Sequence, residues 1–387
     1  MKVVYTAPNR GHHYKYASAL NETGYLQAFV SGFPRMSSHA NAPELGNKLY
    51  HSDLLQTLYI ASLKAKLPAK FSRWLAYMSK KEQDWACREH VRDCDIFLFY
   101  NGSGLSSCRY GKRYGVISIV EAVNSHVEFQ EEILRKEYEL LDLPWVPFPE
   151  DEKNRRLAEY REANYILLPS EFVKRSFIEK GFPENKLLKV PYGFNKPANL
   201  KPVNRSESQY HSFTILYVGS ISVRKGIRYL IEAFNMIDNQ NKKLVLVGPN
   251  TNDGSLNGLH IGSNVVFTGP LKGEALENAY KSADVFCLPS IEEGLALVLG
   301  EAISYGLPII ATCNTGADDI MANGKEGFII PIRDSKAIAD KLQILANSPD
   351  LLRQMRNNSY TKSKEFNGWK DTEKTLIETL RSVFLYK

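Results

Sequence analysis

The stretch Ser290–Ala311, SIEEGLALVLGEAISYGLPIIA, decides the fold. It follows an apolar run, Val285–Leu288, that reads as a buried strand, and the Pro289 to Gly294 segment cannot continue that strand. Leu295–Tyr305 are good helix formers with apolar positions on most sides, and Gly306 stands where a left-handed helix end is wanted. Leu307–Ala311 is again short and apolar. Strand, loop, buried helix, strand is the repeating unit of a parallel α/β sheet.

The loop carries the chemistry. Gly294, Leu295 and Ala296 are expected to present free backbone N–H groups at the positive end of the helix, where phosphates bind, and glycine lets a ligand come close. Glu293 precedes this terminus and Glu301 lies about two helical turns deeper. Carboxylates repel phosphate, so both acids are read as acceptors for hydroxyl donors on a ligand carrying phosphate and sugar together, as a nucleotide-sugar does. The plainer alternative makes each acid a solvated surface residue.

A second phosphate-type signal is VGSISVRKGIRYLIEAF, Val218–Phe234. Gly219 and Ser220 open a strand-to-helix turn that ends in two adjacent cations, Arg224 and Lys225, a set suited to a diphosphate. Lys225 is not followed by Ser or Thr, and this turn contains no Gly-x-Gly-x-x-Gly string, so ATPase, kinase and NAD readings lose support. In the first half, EAVNSHVEFQEEILRKEYELLDLP, Glu121–Pro144, puts His126 between a strand and a helix, at the sheet edge from which cleft residues come. The Pro8–Gly11 turn follows the first strand in the same way, so Gly11, His12 and His13 are expected to line the cleft.

Together these strings resemble retaining glycosyltransferases of the GT-B fold, family 4. The resemblance is strong over the C-terminal half, good from His126 to Gly193 and weak over residues 34–115. It implies that Glu293 contacts the transferred sugar, Glu301 the ribose and Lys225 the donor diphosphate, and that His126 also contacts the sugar. It places the nucleotide base near the turn at Pro270 and Leu271, and sends the final helix, from about Phe366, back across the first domain. The family commonly carries an Arg right after the strand's Gly, where this chain has Ser220, and Arg224 is expected to supply that charge.

Composition agrees with a soluble globular protein, 43% hydrophobic and 24% charged, and 387 residues are enough for two domains. The N-terminus MKVVYTAPNRGHH reads as a strand and loop rather than a signal peptide, so a cytoplasmic location is expected. Five scattered cysteines point to reduced thiols and offer no zinc spacing. The net charge of +6 suits an anionic small ligand or membrane surface and does not by itself call for nucleic acid.

Between Leu54 and Met78, apolar residues recur at helical spacing among Lys64, Lys66, Lys70, Arg73, Lys80 and Lys81. Peripheral contact with an anionic membrane is one reading. The favoured one is a helical insertion packed on its own domain, because Pro68 interrupts the helix.

The expected architecture is α/β, two Rossmann-like domains facing a cleft. Residues 1–195 bind the acceptor, a saccharide or lipid-linked acceptor, with the helix of about 366–387 packed on them. Residues 210–365 bind the nucleotide-sugar, and the polar stretch Asn195–Ser212 is the linker. The expected reaction is glycosyl transfer to a hydroxyl with retention, without cofactor or metal because none of the site strings above carries an Asp-x-Asp motif. A GT-B nucleotide-sugar epimerase and a non-catalytic nucleotide-sugar scaffold are the alternatives.

Overall fold

The structure, a computed structural model, describes residues 1–197 and 212–385; most of the expected linker lies outside the described residues. The first sheet contains β1 (Val3–Ala7), β2 (Leu26–Ser31), β3 (Leu49–His51), β4 (Ile96–Tyr100), β5 (Ile117–Glu121), β6 (Tyr165–Leu168) and β7 (Leu187–Lys189). The second contains β8 (Phe213–Val218), β9 (Lys242–Val247), β10 (Val265–Gly269), β11 (Val285–Leu288), β12 (Ile309–Thr312) and β13 (Gly327–Ile330). The helices of the first half are α1 (His13–Glu22), α2 (Leu54–Lys64), α3 (Ala69–Val91), α4 (Leu105–Lys112), α5 (Val127–Leu140), α6 (Glu150–Glu162) and α7 (Glu171–Glu179). Those of the second are α8 (Ile227–Met236), α9 (Gly273–Ser282), α10 (Leu297–Ser304), α11 (Ser335–Asn347), α12 (Pro349–Ser363) and α13 (Trp369–Leu385).

All strand pairs are parallel, in the orders β3-β2-β1-β4-β5-β6-β7 and β10-β9-β8-β11-β12-β13. Each order reverses direction once, between β1 and β4 and between β8 and β11. In open parallel sheets these switch points, at the carboxyl ends of the strands, are where ligands bind. The strands are apolar on both faces because helices cover both, which is why β11 and β12 are buried at every position.

The last helix completes the first domain. Leu376, Ile377, Leu380 and Val383 of α13 join Val3, Tyr5 and Leu20 in one buried cluster, at about 1.5–3 kcal/mol of apolar burial per side chain. The chain crosses between domains at Gly193, where an added Cβ would lie 2.5 Å from the Trp369 Cα. The stretch from Leu54 to Met78, expected to be a helical insertion packed on its own domain, lies in the α2–α3 hairpin, with Pro68 at the start of its second helix. The hairpin's base packs on the first domain, where Cys87 and Val91 of α3 join a buried cluster with Val4, Phe97 and Phe99, whereas Leu54, Leu58, Leu63, Leu67, Phe71 and Trp74 are exposed.

Candidate active site

Turn stereochemistry builds the second domain's switch point. Gly226, in the left-handed region at φ 63°, ends the β8–α8 turn, and a Cβ there would sit 2.1 Å from the Pro289 carbonyl oxygen. The Ile291 N–H donates to the Arg224 carbonyl at 2.9 Å, so the turn after β8 and the loop after β11 are locked side by side. Arg224, Lys225 and Glu293 therefore meet. Lys225 Nζ forms an ion pair with Glu293 Oε1, Arg224 NH1 lies 3.4 Å from Glu293 Oε2, and Ser290 Oγ donates to Glu293 at 2.9 Å. Burial pushes the Glu293 carboxyl up, but Lys225 and then Arg224 outweigh it and hold the group below its ordinary value.

The acid beside it does something different. Glu292 is fully buried and reaches the first domain: it accepts from Ser125 Oγ at 2.7 Å, Ser125 N at 3.2 Å and Gln130 Nε2 at 2.9 Å. Arg224 NH1 also donates to the Glu292 carbonyl at 2.8 Å. One guanidinium thus touches both the interdomain tie and the carboxylate that holds Lys225. The doubled acid at 292–293 was the available sequence signal for this tie, but nothing local separates the two roles.

Two expectations about the loop are corrected. The Ala296 N–H is not free: it donates to the Thr315 carbonyl at 3.1 Å, and α10 begins only at Leu297. Gly294 is needed for the close approach of protein, since a Cβ there would lie 1.8 Å from the Val123 carbonyl oxygen of the first domain. Its own carbonyl accepts from Ser170 Oγ at 2.5 Å, and Leu295 is buried beside it.

Glu301, two turns deeper, accepts from the Tyr280 hydroxyl at 2.9 Å, and burial raises its pKa. It does not touch the Glu293 cluster through any hydrogen bond among the described residues. Gly219 and Ser220 follow β8, with the Ser220 carbonyl accepting from Tyr217 OH at 2.6 Å. Leu271 is half-buried beside a cavity of about 350 Å³ lined by Gly248, Pro249, Gly269 and Pro270.

His126 is not with these residues. It caps α5, its Nδ1 accepting from the Glu128 N–H at 3.3 Å, and its ring is enclosed by Tyr160, Phe177 and Phe182. Burial and then Lys180 lower its pKa to about 4. The local reason is that the strand ends at Glu121, so the five residues to His126 carry the chain away from the sheet edge and into the first turn of a helix.

Glu121 occupies the sheet-edge position instead. It accepts from Tyr5 OH at 3.0 Å and Tyr192 OH at 3.3 Å and pairs with His12 Nε2, while Tyr5 OH lies 2.6 Å from His13 Nδ1. Burial opposes ionisation of Glu121, but His12 and His13 outweigh it, and burial with His12 lowers His13 to about 4. Gly11 is exposed next to this network. His12, His13 and Glu121 are the one set of metal-type ligands found among the described residues, their atoms within 4.8 Å of one another. Tyr5 and Tyr192 already engage these atoms, so the set is a satisfied polar network whose half-buried member, His12, faces Tyr192 and Trp369 at the domain crossing.

Two Rossmann-like domains with a cationic turn and an acidic loop meeting at the second switch point define the GT-B architecture. Residues 203–362, which include the second domain's sheet, match the family described as Glycosyl transferases group 1. The capsular polysaccharide biosynthesis glycosyltransferase CapM of Staphylococcus aureus is 32% identical over 51% of this chain and 56% of its own length. The lipopolysaccharide 1,2-N-acetylglucosaminetransferase of Salmonella typhimurium is 29% identical over 47% and 53%. The matches thus span about half the length of these curated relatives. Among solved structures, a sucrose-phosphate synthase from Thermosynechococcus elongatus superposes with a TM-score of 0.71 over both whole chains at 17% identity. HepE from Anabaena, solved in complex with UDP, gives 0.67 over 99% of this chain and 100% of its own at 14% identity, which speaks for the fold.

Proposed function

We propose that this protein is a retaining glycosyltransferase that moves a sugar from a nucleoside-diphosphate sugar to an acceptor hydroxyl, in surface polysaccharide or glycolipid synthesis. The observation that carries this is the meeting of Arg224, Lys225 and Glu293 at the β8/β11 switch point. Departure of the nucleoside diphosphate leaves negative charge on its phosphates, and Arg224 and Lys225 stand where that charge develops. Glu293 holds both cations until the diphosphate takes its place and then turns to the sugar hydroxyls. Glu301 accepts from the ribose, and the cavity beside Leu271 takes the base. HepE, which shares the fold, is named in complex with UDP-glucose, and CapM acts in capsule biosynthesis; both support the reading.

The acceptor, a saccharide or a lipid-linked one, is held by the first domain around Gly11, His12 and Glu121. The enzyme works in the cytoplasm at the inner face of the membrane, and it needs no metal. No helix among the described residues is long and apolar enough to cross a bilayer.

The test is a thermal-shift screen of the wild type against UDP, GDP, CMP and their sugars, with and without EDTA, repeated with Lys225→Ala and Glu301→Ala. One nucleotide should raise the melting temperature irrespective of EDTA, by the few kcal/mol that a hundredfold excess over Kd supplies, and both variants should lose the shift. Donor turnover without acceptor would favour an epimerase. A wild type stabilised by none of them would sink the transferase reading.

A further inference from the structure

The α2–α3 hairpin is inside out. Its buried seam is made largely of serines: Ser62 Oγ donates to Ser72 Oγ at 2.8 Å, and Ser79 Oγ to Gln56 at 2.9 Å, with Leu75 the buried apolar residue among them. Many of its leucines and aromatics point outward instead. Leu54, Leu58, Leu63, Leu67, Phe71 and Trp74 are all among the exposed large apolar residues, at 66% for Leu54 and 52% for Trp74. Every residue from 63 to 71 is exposed, and Phe71 and Trp74 stack on each other at 5.9 Å without a core beneath them. In water such a hairpin exposes the surface it should bury.

Charge says what covers that face. Residues 54–81, the part of the hairpin that includes its tip, contain Lys64, Lys66, Lys70, Arg73, Lys80 and Lys81 and no Asp or Glu, a formal +6; the acids Glu82, Asp84 and Glu89 all lie further along α3. Lys64, Lys66 and Lys70 alternate with Leu63, Leu67 and Phe71 at the tip, and among the described residues none of these three lysines has an ion pair. Apolar side chains that insert, flanked by cations level with them, match an anionic lipid surface.

Position adds a third observation. Lys80 lies against Gly102, just past the carboxyl end of β4, its Cδ 3.0 Å from where a Cβ would stand. Residues 69–79 therefore project beyond the cleft edge of the first sheet, by roughly 16 Å at 1.5 Å per residue. The tip extends on the side to which the cleft opens.

We propose that the tip of the α2–α3 hairpin docks on an anionic membrane, inserting Leu63, Leu67, Phe71 and Trp74 at the interface and holding the cleft mouth against the bilayer. This deepens the lipid-linked acceptor reading, and rests on it only for the purpose of docking; the docking itself is tested without any substrate. Full-length protein is sedimented with vesicles of phosphatidylcholine containing 30% phosphatidylglycerol and with vesicles of phosphatidylcholine alone. Binding is expected only to the first, with a blue shift of tryptophan emission that Trp74→Phe diminishes. Leu67→Ser/Phe71→Ser should weaken binding at least tenfold at all salt concentrations, while Lys64→Glu/Lys66→Glu/Lys70→Glu should abolish it. These positions are exposed, so the unfolding midpoint of each variant should match the wild type. Failure of the wild type to bind anionic vesicles overturns the proposal. So does a concentration-dependent dimer that the Leu67→Ser/Phe71→Ser variant abolishes, since the face would then belong to a second copy of the chain. A protein that docks but binds no nucleotide would leave the docking standing and sink the transferase reading.

Discussion

Replacing Glu292 by alanine tests whether closure of the two domains and the cation pair are one device. The substitution removes the acceptor of three hydrogen bonds from the first domain, two of them at 2.9 Å or less, at a site with no exposure to water. Removing one partner of a buried charged cluster costs about 3–5 kcal/mol, because Gln130 and Ser125 are left with buried donors and Arg224 loses a facing carboxylate. If that cost falls on the joined state, 3 kcal/mol shifts the closed-to-open ratio by roughly a hundredfold or more. The affinity for the stabilising nucleoside diphosphate, measured by calorimetry, should then fall by a similar factor, and the radius of gyration from small-angle scattering should rise. Glu137→Ala supplies the control. Glu137 is also fully buried and ties the domains, accepting from Arg333 at 2.6 Å and Tyr229 at 2.8 Å, but it does not touch Arg224. Equal losses in the two variants would assign the effect to closure alone; a larger loss in Glu292→Ala assigns the excess to Arg224. The reasoning is refuted if Glu292→Ala leaves both scattering and nucleotide affinity within twofold of the wild type while Arg224→Ala does not.

Acid stability should report on His126. Its folded pKa of about 4 lies below its ordinary 6.5, so between those values the folded protein binds fewer protons than the unfolded chain. This contribution is intact above pH 6.5 and is lost as pH falls toward 4, about 3 kcal/mol in full. His13, also lowered to about 4, adds a similar loss, so His126→Phe should make the acid limb of urea stability against pH shallower by about half of their joint effect; an unchanged limb would contradict the assigned burial. Gly226→Ala should destabilise by about 1–3 kcal/mol and also remove nucleotide binding, because relieving the contact with the Pro289 carbonyl separates the cationic turn from the Glu293 loop. Retention of both stability and binding would show that this turn tolerates the displacement.

Much of the fold is written locally. The apolar runs at 285–288 and 307–311 and the glycine at 306, φ 68°, announced strands and a helix end within a residue or two of where they stand. Strand periodicity and left-handed turns are properties of a few adjacent residues, so a sequence states them directly. That Arg224, Lys225 and Glu293 share one site was readable for a related reason, since each lies in a turn that follows a strand and such turns converge at a switch point; their direct pairing was not expected. The short edge strands Leu49–His51 and Leu187–Lys189, three residues each, were too brief to give a period.

What the sequence could not carry is the set of contacts between residues more than a hundred positions apart. Glu292 and Glu293 are adjacent and chemically identical, and only the approach of Ser125 and Gln130 makes one of them an interdomain tie. His126 and Glu121 stand five residues apart in a single loop, and only the place where β5 ends decides that Glu121 faces His12 while His126 turns into an aromatic cage. The basic hairpin shows the same division. Its period of apolar residues declared helices, but a helical period does not say which face is covered, and the tertiary packing put serines in the seam and left Leu54, Leu58, Leu63, Leu67, Phe71 and Trp74 outside.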